Sequence, residues 1–261
     1  MVDASYTTRM QFTARRVLSL TDLTSLNDND DERSIQKLLK LASTDAGKVA
    51  AVCTWARFIA VAKPILARTG IPLAVVANFP AGAADPVAAA AQTTAAVTAG
   101  ANEIDVVFPY RALMSGDEQS GLNLVEACRA ACGEQTLLKV ILETGQLGSD
   151  RNISTAARIA CDGGADFLKT STGKTQPGAT IEAVGVLLDV IAMYAKRGRK
   201  VGLKVSGGVR TVEQAKQYLD LYEDYLGVGA ATPATFRIGA SSLVSDILTV
   251  LRPNERDVQQ S

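Results

Sequence analysis

The run KVGLKVS (Lys200–Ser206), continuing into GGVRT, sorts its side chains onto two unlike faces. In an extended chain successive side chains point to opposite sides. Val201, Leu203 and Val205 therefore form an apolar face suited to covering helices, while Gly202, Lys204 and Ser206 point the other way. DFLKTS (Asp166–Ser171) repeats the pattern, with Leu168 and Thr170 on the helix side and Phe167, Lys169 and Ser171 opposite. In EIDVVF (Glu103–Phe108), Ile104, Val106 and Phe108 face outward and leave Asp105 and Val107 facing in. The chain holds five further short apolar runs, VLSLTDL (Val17–Leu23), VAAVCTW (Val49–Trp55), LAVVANF (Leu73–Phe79), TLLKVILE (Thr136–Glu143) and FRIGAS (Phe236–Ser241).

Helical stretches separate these eight runs. DDERSIQKLLKLA (Asp30–Ala42) places Ile35, Leu38, Leu39 and Ala42 on one stripe. DPVAAAAQTTAAVTAGA (Asp85–Ala101) opens with Asp then Pro and closes at Gly100, and TVEQAKQYLDLYEDYLG (Thr211–Gly227) has a Thr cap and a Gly stop. Parallel strands need crossovers of this kind. The 261 residues match the roughly 250 typical of a (β/α)8 barrel. The rival doubly wound sheet lacks its fingerprint, since G-x-G-x-x-G appears nowhere. A single α/β domain, one (β/α)8 TIM barrel over residues 1–261, is the expectation.

The segment before the first run carries Arg9, Arg15 and Arg16 without the apolar stretch of a secretory signal, and it reads as a short helical or loose lead-in. The polar tail, about residues 254–261, is expected to be mobile. No apolar run reaches the roughly 18 residues of a membrane span. Lys+Arg and Asp+Glu number 27 each, which argues against a nucleic-acid or membrane partner. Cys53, Cys128, Cys132 and Cys161 form no C-x-x-C pair and read as buried thiols of a cytoplasmic protein. Two thiolates at Cys128 and Cys132 are too few for a zinc site.

The chain has no histidine. A Ser-His-Asp or Cys-His nucleophile and a His-ligated zinc are excluded, so acid–base or covalent chemistry must come from other side chains. Five runs carry a charge where a barrel strand would be apolar: Asp22, Asp105, Lys139, Lys169 and Lys204. An uncompensated buried ion neutralises rather than stay charged. Such a cluster is either a satisfied ionic network or an active site, and near the C-terminal ends of barrel strands the latter is favoured. A second ammonium nearby, with partial desolvation, lowers a lysine's pKa and frees its amine for Schiff-base formation, while a carboxylate moves protons. The residue types leave open which of Lys139, Lys169 and Lys204 is the nucleophile.

Three loops follow these strands with anion-binding character: STGKT with Thr172, Gly173 and Lys174, SGGVRT with Gly207, Gly208 and Arg210, and GASSL with Ser241 and Ser242. Glycine lets backbone N–H groups approach an anion, and a helix N-terminus adds a favourable dipole. The loops after strands seven and eight are where barrels often hold phosphate. Taken singly, each loop has a plain structural reading as a turn or a helix cap. GKT (173–175) is not a P-loop, because Leu168 stands where the first glycine is required.

With these residues in view, the sequence resembles the deoxyribose-phosphate aldolases, class I (Schiff-base) aldolases on a (β/α)8 barrel. The likeness is carried by LTDLTSLND (20–28), EIDVVFPYRALMSG (103–116), LLKVILETG (137–145), DFLKTSTGK (166–174), GLKVSGGVRT (202–211) and RIGASSL (237–243). The resemblance implies Lys169 as the Schiff-base lysine, Lys204 as the lysine that lowers its pKa, and Asp105 as the carboxylate of a proton relay. It implies Asp22 as an active-site polar residue, and Thr172, Gly173, Lys174, Gly207, Gly208, Ser241 and Ser242 around the substrate and its phosphate. The implied reaction is reversible cleavage of 2-deoxy-D-ribose 5-phosphate to acetaldehyde and D-glyceraldehyde 3-phosphate, a lyase step without metal or organic cofactor. A homodimer is common in the family.

Departures are Val205 and Ser206 after the second lysine, where members often have Pro and Ala, the form CTWARF (Cys53–Phe58), and a chain ending at Ser261 without a tyrosine. These bear on rate and acceptor preference. The competing readings are another lysine-dependent barrel aldolase of transaldolase type, with a ketone donor, and a non-catalytic sugar-phosphate-binding barrel whose lysines form a structural network.

Overall fold

A computed structural model describes residues 4–252. Eight parallel strands close into a barrel: β1 (Thr21–Thr24), β4 (Ala51–Thr54), β5 (Leu73–Ala77), β6 (Glu103–Val107), β7 (Leu137–Ile141), β8 (Phe167–Lys169), β9 (Gly202–Ser206) and β10 (Phe236–Ala240). The ring closes where β1 pairs with both β10 and β4. β2 (Ser43–Thr44) and β3 (Gly47–Lys48) form a small antiparallel pair outside it. This is the (β/α)8 barrel expected from the alternating runs.

Seven of the eight strands lie within those runs. The first run is corrected at its start: Val17–Ser19 are the last turn of helix α1 (Ala4–Ser19), and the strand begins at Thr21. Ala14, Val17 and Leu18 are buried as helix residues that pack α1 against later helices, so the apolar run is shared between two elements. The expected lead-in is therefore a four-turn helix, tied down by an Arg16–Glu223 ion pair. The tail from 254 onward lies outside the described residues.

Helix ends follow local chemistry. α4 (Pro86–Ala99) starts at Asp85, whose carboxylate accepts from the Ala88 N–H at 2.9 Å, and it stops at Gly100 with φ of 106°. α10 (Val212–Leu226) is opened by a Thr211/Gln214 capping box, in which each side chain accepts from the other residue's backbone N–H. α2 (Glu32–Leu41) is capped by Asp31 and buries Ile35 and Leu39.

The apolar faces read from alternation point outward. Val201, Leu203, Val205, Leu168, Ile104 and Val106 are buried between barrel and helices in one continuous core. A second, smaller apolar cluster of Leu26, Cys53, Ala74 and Val76, flanked by Trp55 and Phe79, is separate from it. Trp55 and Phe79 meet edge to face with centroids 5.5 Å apart. Cys128, Cys132 and Cys161 pack in the main core and Cys53 in the smaller cluster, all four as free thiols. No helix among the described residues is long and apolar enough to cross a membrane.

Candidate active site

Barrel interiors are usually filled by branched apolar side chains. Here β6, β7, β8, β9, β10 and β1 turn charges inward instead. Glycines make the room: a Cβ on Gly202 would lie 2.4 Å from the Phe167 ring, and one on Gly239 would lie 3.0 Å from Lys204 Cε.

Asp105 sits at the centre. Its Oδ1 accepts from Lys139 Nζ at 2.8 Å, and its Oδ2 accepts from both Lys169 and Lys204 Nζ at 2.8 Å. Asp22 Oδ2 lies 2.6 Å from Lys204 Nζ and 3.7 Å from Lys139 Nζ. The five charges expected inward are thus in one network. Two further members, Glu103 and Arg237, escaped the sequence reading. Glu103 contacts Lys139 Nζ at 2.5 Å and Arg237 Nη2 at 3.0 Å, and Arg237 Nη1 donates to Asp22 Oδ1 at 2.6 Å. The signal was available: Glu103 stands two residues before Asp105, and Arg237 lies between the outward Phe236 and Ile238.

The electrostatics separate the lysines. Burial and the neighbouring Lys204 ammonium together push the Lys169 pKa down, against the pull of Asp105. Burial would lower Lys204 too, but Asp105 and Asp22 outweigh it and hold its pKa up. Lys139 is likewise raised by Asp105 and Glu103 against its burial. Burial alone would raise Asp105, yet three ammonium groups hold it well below the usual carboxylate range. Lys169 is therefore the lysine most readily present as a free amine, and Asp105 is an anion held in place by its three ammonium partners. Cys53 reaches this centre from β4, its Sγ 3.9 Å from Asp105 Oδ2, with its thiol pKa raised by burial and by that carboxylate.

Above the network lies a cavity of about 260 Å³ lined by Lys169 together with Thr172, Gly173, Lys174, Gly207, Gly208, Ser241 and Ser242. All seven residues expected around the substrate and its phosphate thus share one wall system with the candidate nucleophile, and Arg210, Ser206, Thr24 and Asn27 join them. Asp22, expected as an active-site polar residue and as part of the substrate site, does not line the cavity. It is fully buried beneath the cavity and spends its oxygens on Lys204 and Arg237.

The loop geometry has visible causes. Gly207 and Gly208 have φ of 89° and 101°, a region that L side chains rarely adopt, which turns the chain sharply after β9. Helix α11 (Leu243–Val250) begins just after Ser242, so its unpaired N–H groups open beside the cavity. Thr172 is fixed by Glu143, which accepts from the Thr172 hydroxyl at 2.6 Å and its N–H at 3.2 Å, and the Thr172 hydroxyl accepts from the Lys174 N–H at 3.0 Å. Lys174 Nζ is 3.6 Å from the exposed Asp28 carboxylate. Ser206, one of the departures from the family pattern, donates its hydroxyl to the Ser171 carbonyl at 2.6 Å and ties β9 to the loop after β8. Val205, the other, faces the helices.

The profile described as DeoC/LacD family aldolase matches residues 16–243. Among solved structures, the chain is similar to a protein assigned as a deoxyribose-phosphate aldolase from Toxoplasma gondii ME49, at 26% identity and a TM-score of 0.86, covering 94% of this chain and 98% of that one. A counterpart assigned likewise from Coccidioides immitis is 27% identical with a TM-score of 0.77, over 89% and 86% of the two chains. A deoxyribose phosphate aldolase from Aeropyrum pernix, described as a unique tetramer, shares the fold at 24% identity and a TM-score of 0.69, over 99% of each chain.

Proposed function

Because this chain belongs to the DeoC/LacD family of aldolases, we propose that it cleaves and forms 2-deoxy-D-ribose 5-phosphate through a Schiff base on Lys169. The observation that carries the reading is Lys169 itself. It ends β8 at the wall of the cavity, and its carboxylate partner is shared with two other lysines.

In the synthetic direction the free amine of Lys169 adds to the carbonyl carbon of acetaldehyde, giving a carbinolamine. A proton delivered to its hydroxyl lets water leave and the imine form. Asp105, 2.8 Å from Lys169 Nζ, is placed to accept and return protons, directly or through water. Removal of a proton from the methyl carbon gives the enamine. Its carbon attacks the aldehyde of D-glyceraldehyde 3-phosphate, whose oxygen takes up a proton, and water then releases the product and restores the amine. Lys204, held as an ammonium by Asp105 and Asp22, keeps Lys169 from retaining its own proton. The scheme draws on the amine, the carboxylate and water, and calls for no metal or organic cofactor.

The acceptor's phosphate is assigned to Gly173, Lys174, Gly207, Gly208, Ser241 and Ser242, where flexible backbone, one ammonium and a helix N-terminus converge. Leu26, from the small apolar cluster, lines the cavity and offers the two-carbon donor an apolar contact. A cytoplasmic protein acting on small phosphosugars and aldehydes, without nucleic-acid or membrane partners, fits four free buried thiols and the balanced charge, and a homodimer is the assembly the family resemblance implies.

Borohydride trapping with acetaldehyde, followed by peptide mass mapping, tests the reading. The expected product is an ethyl adduct on Lys169. An adduct on Lys139 or Lys204 would reassign the nucleophile. Folded protein without any adduct would favour a non-catalytic sugar-phosphate barrel.

A further inference from the structure

Asp105 is crowded by three lysines because Arg237 takes up part of the other two carboxylates. The guanidinium spans Asp22 Oδ1 at 2.6 Å and Glu103 Oε1 at 3.0 Å. Without it, each carboxylate would have a lysine of its own: Glu103 with Lys139 at 2.5 Å, Asp22 with Lys204 at 2.6 Å and Asp105 with Lys169 at 2.8 Å. With it, four cations meet three carboxylates within this ion-paired network, the buried Glu143 carboxylate being engaged outside it by Thr172, and none of the network's side chains is more than 4% exposed. A surplus positive charge in such a space is relieved by releasing a proton wherever that costs least.

Arg237 cannot release one, because a guanidinium stays protonated throughout the accessible pH range. Lys139 contacts three carboxylates and Lys204 two. Among the described residues, Lys169 has its ion pair with Asp105 and also borders the cavity. Glu103 and Arg237 stand toward the opposite end. Glu103 is the first residue of β6, and it lines a separate cavity with Gly100, Asn102 and Leu137 at the strands' N-terminal mouth.

We infer that Arg237, remote from the substrate cavity, is a positioning residue for the aldol chemistry, because its permanent charge makes Lys169 the surplus cation of the ion-paired network. The inference deepens the proposed function and rests on Lys169 being the nucleophile. The ionisable groups facing Lys169 are Asp105 from β6, Lys139 from β7, Lys204 from β9 and Cys53 from β4. Asp22 lies behind Lys204, the buried Glu143 follows β7 and is engaged by Thr172, and Lys174 and Arg210 share the cavity wall. The lowered pKa of Lys169 has the sign this charge count requires.

The test is the rate of acetaldehyde trapping on Lys169 by cyanoborohydride, measured across pH in the full chain. Arg237→Met is expected to move the acid-side midpoint up by about one unit or more, so that trapping near neutrality falls about tenfold while the alkaline plateau stays close to wild type. Lys139→Met removes the same charge from a different strand and is expected to move the midpoint in the same direction, which carries the test should Arg237→Met fail to fold. Arg237→Lys keeps the charge and is expected to retain the wild-type midpoint. The double variant Glu103→Gln/Arg237→Met restores a surplus of one cation and is expected to return the midpoint toward wild type. Folded Arg237→Met or Lys139→Met protein with an unmoved midpoint overturns the inference, including when only the plateau drops, which is what a purely structural role would give. Wild-type protein with no Lys169 adduct at any pH overturns the nucleophile assignment instead.

Discussion

Lys204 and Lys169 are both buried lysines with an oxygen of Asp105 at 2.8 Å, and the environment sends them in opposite directions. The difference lies in the second carboxylate: Asp22 stands 2.6 Å from Lys204, and Lys169 has no counterpart among the described residues. Replacing Lys204 by Leu removes the ammonium that helps depress Lys169 and leaves Asp105 to stabilise the protonated Lys169. Asp22 keeps Arg237, so the change leaves a partnered carboxylate behind. The expected outcome is a folded enzyme whose activity near neutrality falls by about tenfold or more and recovers in part at high pH. A wild-type-like pH–rate profile for Lys204→Leu would refute the tuning role.

At the scale of elements, the strands carry the lysine network and the loops wall the cavity above it. The two meet only because the loops after β8, β9 and β10 pack against one another. Gly207 is a close point of that packing: a Cβ there would lie 3.0 Å from Gly178 Cα and 3.3 Å from Ser171 Cβ, on a backbone with φ of 89°. Gly207→Ala should therefore strain the β9 loop by about 1–3 kcal/mol without touching the lysine network. Steady-state kinetics is expected to show KM for the phosphorylated substrate raised about tenfold or more, while acetaldehyde still traps on Lys169. Equal loss of both signals would mean that the loop and the reacting centre are not separable.

For the whole molecule, the network makes stability depend on pH. Asp22 and Asp105 are held below the usual carboxylate range, so their contribution is present above a pKa of about 3.9 and is lost as pH falls through their folded values. Lys139 and Lys204 are raised, so their contribution is present below about 10.4 and is lost only as pH rises through still higher values. Lys169 has the opposite sign, because its lowered pKa costs stability at low pH and the cost is relieved as pH rises through the folded value. Urea unfolding across pH is expected to show stability rising from acid toward the alkaline side of neutrality, with a steep loss below about pH 4. A stability maximum in acid would contradict the network as drawn.

Strand alternation is a local property, since neighbouring side chains on an extended chain cannot point the same way. It was enough to place Lys169, Lys204 and Asp105 inside a barrel and the residues of KVGLKVS on their correct faces. The glycines and serines after the strands were readable for the same reason, because their backbone freedom and capping chemistry are local. Chain entry into β1 was less legible: an apolar run does not reveal where a helix ends and a strand begins, and Val17–Ser19 proved helical. Glu103 and Arg237 obey the alternation too, yet their meaning depends on which charges the closed barrel brings within reach, more than a hundred residues apart in sequence. The same holds for Asp22, whose side chain is claimed by Lys204 and Arg237 rather than by the cavity. Residue order and periodicity thus determined the barrel, its inward charges and the glycine- and serine-bearing loops that wall the cavity. Which lysine gives up its proton was decided only by tertiary structure, because that depends on the sum of charges enclosed by all the strands together.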